Sequence, residues 1–119
     1  MATVTTTLTI KSDDAFSDVL DISLDDSYSI TKDATLERTK MAGRGADSTI
    51  YLAADYTRAM VYFKNVDGTT AIMVDFGSTL AMQIEPYEYA LFPWDSSQNI
   101  VVRAEDSNTP VLEHAIFEF

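Results

Sequence analysis

A chain of 119 residues with 19 acids against 8 bases carries a net charge of −11, which argues against nucleic acid as a partner because phosphate binding needs a basic patch. With no cysteine, disulfides, thiolate metal sites and cysteine nucleophiles drop out together. The length accommodates one domain over residues 1–119, and the acidity points to solubility and self-repulsion or, in a sharper reading, to attraction towards a basic surface.

The N-terminus, Met1 to Thr7, has no basic region followed by an apolar core and does not read as a secretory signal, and no apolar run is long enough to span a membrane. Thr3–Ser12 alternates, with Val4, Thr6, Leu8 and Ile10 on one face and threonines on the other. One face is expected to pack inward. Asp18–Asp25 repeats the pattern with Leu20, Ile22 and Leu24 on one side, and Ser27–Thr31 reads as a further strand through Tyr28 and Ile30. Ala34–Met41 is the next strand. The glycines in Ala42–Ser48 predict an exposed loop, Thr49–Leu52 a short strand, and residues 53–57 a link able to form one helical turn.

From Met60 onward, strand-like runs alternate with turn residues: Met60–Asn65, Thr70–Phe76, Leu80–Glu85, Tyr89–Pro93, Ile100–Glu105 and Val111–Phe119. Asp67-Gly68 predicts a hairpin joining the first two of these, through a turn with positive φ. Pro86 ends the strand before it, since proline cannot donate to a ladder. The fold class is all-β: an antiparallel β-sandwich of about eight to ten short strands, closed as two packed sheets or as a jelly roll.

The chemistry-bearing residues are few. His114, the single histidine, shares a strand face with Leu112 and Ile116 and reads as a structural residue on a partly buried sheet face. No Gly-x-Ser-x-Gly elbow accompanies it. The acids Asp13, Asp14, Asp18, Asp21, Asp25 and Asp26 read as a solvated face rather than a calcium site, because the EF-hand spacing is missing. Gly43-Arg44-Gly45-Ala46-Asp47 lacks the lysine-serine or lysine-threonine pair of a phosphate loop. No catalytic, cofactor-binding or metal-binding residue is therefore assigned. Among the aromatics, Tyr89, Leu91 and Phe92 read as core, and Trp94, just before the polar segment Asp95–Asn99, as an interface residue. A sugar-binding β module would rest on Trp94, and a cupin-like enzyme would need clustered metal ligands that one histidine does not supply.

Tyr62-Phe63-Lys64-Asn65, Ala71 to Ser78, Met82 to Pro93 with its Leu91-Phe92-Pro93 ending, and Ile100 to Ala104 together resemble the strand-and-turn grammar of small structural proteins of tailed-bacteriophage particles. Where those proteins carry glycine after the proline, this chain carries Tyr87. The resemblance covers roughly the C-terminal half. It implies a non-enzymatic virion component made in the host cytoplasm: a capsid decoration (cement) protein, or a tail or head–tail surface module. It also implies many copies, the major capsid protein as partner and a homotrimer as the assembly. The surface residues expected to carry binding are Val4, Leu8 and Ile10 on the N-terminal strand, with Tyr87 and Trp94.

Overall fold

The computed structural model describes residues 2–14, 19–41, 43, 47–95 and 97–119. It contains ten strands: β1 (Thr3–Ser12), β2 (Leu20–Ser29), β3 (Glu37–Lys40), β4 (Ser48–Tyr51), β5 (Ala59–Asn65), β6 (Ile72–Phe76), β7 (Thr79–Ile84), β8 (Tyr89–Trp94), β9 (Ile100–Ala104) and β10 (Val111–Glu118). A 3-10 turn, Ala53–Asp55, is the helical turn anticipated between β4 and β5. The loop expected at Ala42–Ser48 falls largely outside the described residues, as do Asp18 and most of Gly43-Arg44-Gly45-Ala46-Asp47.

By its contacts the chain divides into two compact units, Met1–Asp33 with Phe119 and Ala34–Glu118. The sandwich is formed by β3–β10 alone, whereas the sequence reading extends it over residues 1–119. β1 and β2 form a separate two-stranded sheet. The physical reason is that neither strand supplies a fully buried side chain.

In the second unit, two antiparallel four-stranded sheets run in the orders β3-β10-β5-β8 and β4-β9-β6-β7. The pairs β3 with β10, β4 with β9, β5 with β8 and β6 with β7 nest inside one another. The chain is thus one long hairpin rolled up so that alternate rungs fall in opposite sheets, which is jelly-roll connectivity. Strict alternation drives it. Along β5, Ala59, Val61, Phe63 and Asn65 are buried while Met60, Tyr62 and Lys64 are half-buried on the other face. Ile72 and Val74 of β6, Ile100 and Val102 of β9, Leu112 of β10 and Tyr51 of β4 complete one core cluster. Fully burying a side chain of this size contributes about 1.5–3 kcal/mol, so these residues dominate the unit's stability.

Three local expectations differ from what forms. Asp18–Asp25 and Ser27–Thr31 are not two strands; Leu20–Ser29 is one continuous strand, paired with β1 along its whole length. β5 and β6 do not make a hairpin. β5 pairs with β10 and β8, β6 with β7 and β9, so the segment at Asp67-Gly68 carries the chain between sheets. The Asp67 carboxylate accepts from the Thr69 and Thr70 amides and the Thr69 hydroxyl, and so turns the chain locally instead of closing a ladder. Gly68 is not at positive φ; a Cβ there would lie 2.7 Å from the Tyr87 hydroxyl. The tight hairpin is the next one, with Gly77 at φ 64° between β6 and β7.

The Pro86 turn keeps the geometry that glycine would supply. Glu88 N donates to the Glu85 carbonyl at 3.0 Å, and Tyr87 adopts φ 67°, the pattern of a type II turn. A side chain in that region costs about 1–2 kcal/mol, and here the Tyr87 ring lies against Gly68.

Asn65 ties this corner together. Its side-chain nitrogen donates to the carbonyls of Thr70 (2.8 Å) and Ile84 (3.0 Å), and its side-chain oxygen accepts from Asp67 N at 3.0 Å. Its backbone N donates to Glu88 O and its carbonyl accepts from Tyr87 N. Removing the side chain strands buried acceptors, each costing about 1–3 kcal/mol. Asn65→Ala should therefore lose about 3 kcal/mol or more in chemical denaturation. A loss below about 1 kcal/mol would contradict this role.

Candidate interaction surfaces

The β1–β2 ribbon has two unlike faces. Its register sets Leu8 opposite Leu24, Ile10 opposite Ile22 and Ser12 opposite Leu20, with Thr6 opposite Asp26 and Val4 opposite Tyr28. Side chains directly opposite in an antiparallel pair share a face, so this side is apolar from Leu8/Leu24 to Ser12/Leu20. The other side pairs Thr5 with Ser27, Thr7 with Asp25, Thr9 with Ser23 and Lys11 with Asp21. Here Thr7 donates to Asp25 at 2.8 Å, and the Thr5 and Ser27 hydroxyls lie 3.2 Å apart.

The apolar side is not covered: Ile10 is 41%, Ile22 38% and Leu24 52% exposed, and Leu20 is similar. Val4 and Leu8 are half-buried. The inward packing expected of this face thus fails for Ile10. Completing the burial of these four exposed side chains would contribute on the order of 1 kcal/mol each, from the usual worth of a buried aliphatic residue. A two-stranded ribbon in water is marginal without such cover.

The aromatic segment sorts by strand period. On β8, Tyr89, Leu91 and Pro93 face outward, with Tyr89 65% and Leu91 45% exposed, so the core assignment of Tyr89 and Leu91 is corrected. Phe92 and Trp94 point in and pack against the core cluster. Trp94 packs tilted against Phe76 with ring centroids 4.1 Å apart, and its indole N–H donates to Gln98 O. Trp94 is half-buried there, whereas Tyr87 stands 66% exposed at its turn. β1 and β2 unite Val4, Leu8 and Ile10 on one surface; Trp94 and Tyr87 belong to the other unit. Leu20, Ile22 and Leu24 were missing from the sequence-based interface, although their alternation, following that of Leu8 and Ile10 in the chain, was the available signal.

On the outward face of the β3-β10-β5-β8 sheet, Glu113 accepts from the Tyr62 hydroxyl at 2.9 Å and pairs with Arg38 at 2.8 Å. The Tyr62 hydrogen bond and then Arg38 hold the Glu113 carboxyl below its usual value, while burial raises the Tyr62 phenol. Asp75 pairs with Arg103 on the other sheet. His114 is buried, its Nε2 2.9 Å from the Thr39 hydroxyl and 4.0 Å from Glu37. Buried Glu118 accepts from Thr57 N. Among the described residues no group of three His, Cys, Asp or Glu side chains could hold a metal ion. No family model matches the sequence, and no curated protein or solved structure matches it significantly.

Burial lowers the His114 pKa below 6.5, against the smaller opposing pull of Glu37. The unfolded chain then binds the proton more readily, so stability is complete above 6.5 and falls as pH drops below it. Urea midpoints should decline from about pH 7.5 to about pH 5.5 and flatten in His114→Gln. Asp67 and Glu113, both lowered, add their losses only below 3.8 and 4.5. An equal decline in the variant would contradict the assignment to His114.

Proposed function

We propose that this protein is a non-enzymatic structural component of a bacteriophage particle, a capsid decoration protein that binds the assembled shell in many copies. The observation that carries the reading is the β1–β2 ribbon, an amphipathic element whose apolar side is left to solvent at Ile10, Leu20, Ile22 and Leu24. Such a surface gains stability from association. The polar residues buried in the sandwich support the reading from the other side. Asn65, His114 and Glu118 are each engaged in hydrogen bonds that hold strands and corners together.

The jelly roll is a frequent architecture of capsid domains, and it also serves lectins and cupins, so the fold contributes analogy only. The resemblance of Tyr62–Asn65 and Leu91–Pro93 to small phage virion proteins selects among those uses. A net charge of −11 keeps many copies soluble before assembly.

The genes adjacent to its own identify the particle to test. The full chain should co-sediment with shells stripped of it, and deletion of residues 1–10, which removes most of β1, should abolish that. Co-sedimentation with tails but not shells would transfer the role to a tail surface. Retained shell binding by the truncated chain would overturn the part given to the ribbon.

A further inference from the structure

We infer that the apolar face of the β1–β2 ribbon docks on the same face of a second copy of this chain. This rests on the proposed function's reading of the ribbon as an association surface: copies close its apolar side on one another, leaving the threonine and aspartate side to the shell. The contact needs no particle, so the two can fail separately.

The first reason is charge. Residues 1–33 hold seven acids against two bases, yet no charged side chain lies on the face from Leu8/Leu24 through Ile10/Ile22 to Ser12/Leu20. Copies of so acidic a chain can approach closely where the acids are missing.

The second reason is self-complementarity. The rungs on either side of Ile10/Ile22, Leu8/Leu24 and Ser12/Leu20, each present a leucine from β2. A two-fold axis there lays Leu8/Leu24 of one copy over Ser12/Leu20 of the other and Ile10/Ile22 over itself, an isologous contact between stacked two-stranded sheets about 10 Å apart.

The third is size. Ten residues make a ribbon about 33 Å long and two strands wide, less than the roughly 800 Å² per partner of a standard stable interface. The contact is therefore weak between free chains and is reinforced when copies are held side by side on a surface. The same geometry brings Asp26, next along the face from Leu24, towards Asp13 and Asp14 of the other copy. Association should then rise with salt, whereas binding to a basic surface falls with it.

Sedimentation equilibrium of the full chain up to about 1 mM tests this, since a weak dimer is populated there. A monomer–dimer equilibrium strengthened by sodium chloride is expected. Ile22→Thr with Leu24→Thr, which keeps strand-forming residues, should weaken it at least about tenfold, from the loss of two contacts in each copy. The near-ultraviolet signal of Trp94 in the sandwich should be unchanged. Asp26→Asn should strengthen it roughly two- to fivefold at low salt, the range for exposed charge pairs; this gain cannot arise from misfolding. A monomer throughout, a dimer indifferent to the threonine pair, or one weakened by salt would each overturn the proposal.

Discussion

The sandwich depends on how the chain crosses from one sheet to the other at Asn65. A fully buried primary amide at the end of β5 binds the Thr70 carbonyl, two residues before β6, and the one that closes β7, while its backbone holds the turn before β8. These bonds pass between elements of both sheets, where no ladder can satisfy the backbone groups. Burial makes them matter, because an unpaired carbonyl in that position has no water to turn to. Around the same corner, Asp67 turns the chain with its carboxylate, Tyr87 accepts a left-handed backbone, and Gly68 stays small beneath the Tyr87 ring. Nested pairing of β5 with β8 and β6 with β7 is possible only if this corner is tight.

Polar groups in this corner act as structure, and those elsewhere in the sandwich follow suit. His114 bridges β10 to β3 through Thr39, and Glu113 collects Tyr62 and Arg38 across three strands. Asp75 pairs with Arg103 through one carboxylate oxygen only, the other being buried without a hydrogen bond. The ribbon is amphipathic at a register that aligns leucines and isoleucines from both strands, with threonine, serine and aspartate behind them.

The strands were legible in the sequence because a half-buried strand writes its period directly. Ala59 to Asn65 and Ile100 to Ala104 alternate buried and half-buried without a break. The pairing was less legible. β3 lies against β10 and β4 against β9, partners far apart in the chain, and no local signal carries such long-range choices. Asp67-Gly68 misled because the dipeptide serves hairpins and crossovers alike; what decides is the Asn65 amide beside it, whose partners Thr70 and Ile84 are known only once the sheets have formed. Val4, Leu8 and Ile10 could be placed on one face from alternation alone, but exposure could not, since an apolar strand face looks the same covered or bare. Tyr89 and Leu91 were misjudged for that reason, while Trp94, expected at an interface, is held by Phe76 and Gln98.

The sandwich buries a core of its own, and the ribbon does not. Amide hydrogen exchange, followed strand by strand in dilute and in concentrated protein, tests it most directly. The expected result is slow exchange in β5, β6, β9 and β10 at every concentration, with exchange in β1 and β2 fast in dilute protein and slowed as copies accumulate. Equal and concentration-independent protection of both units would contradict it.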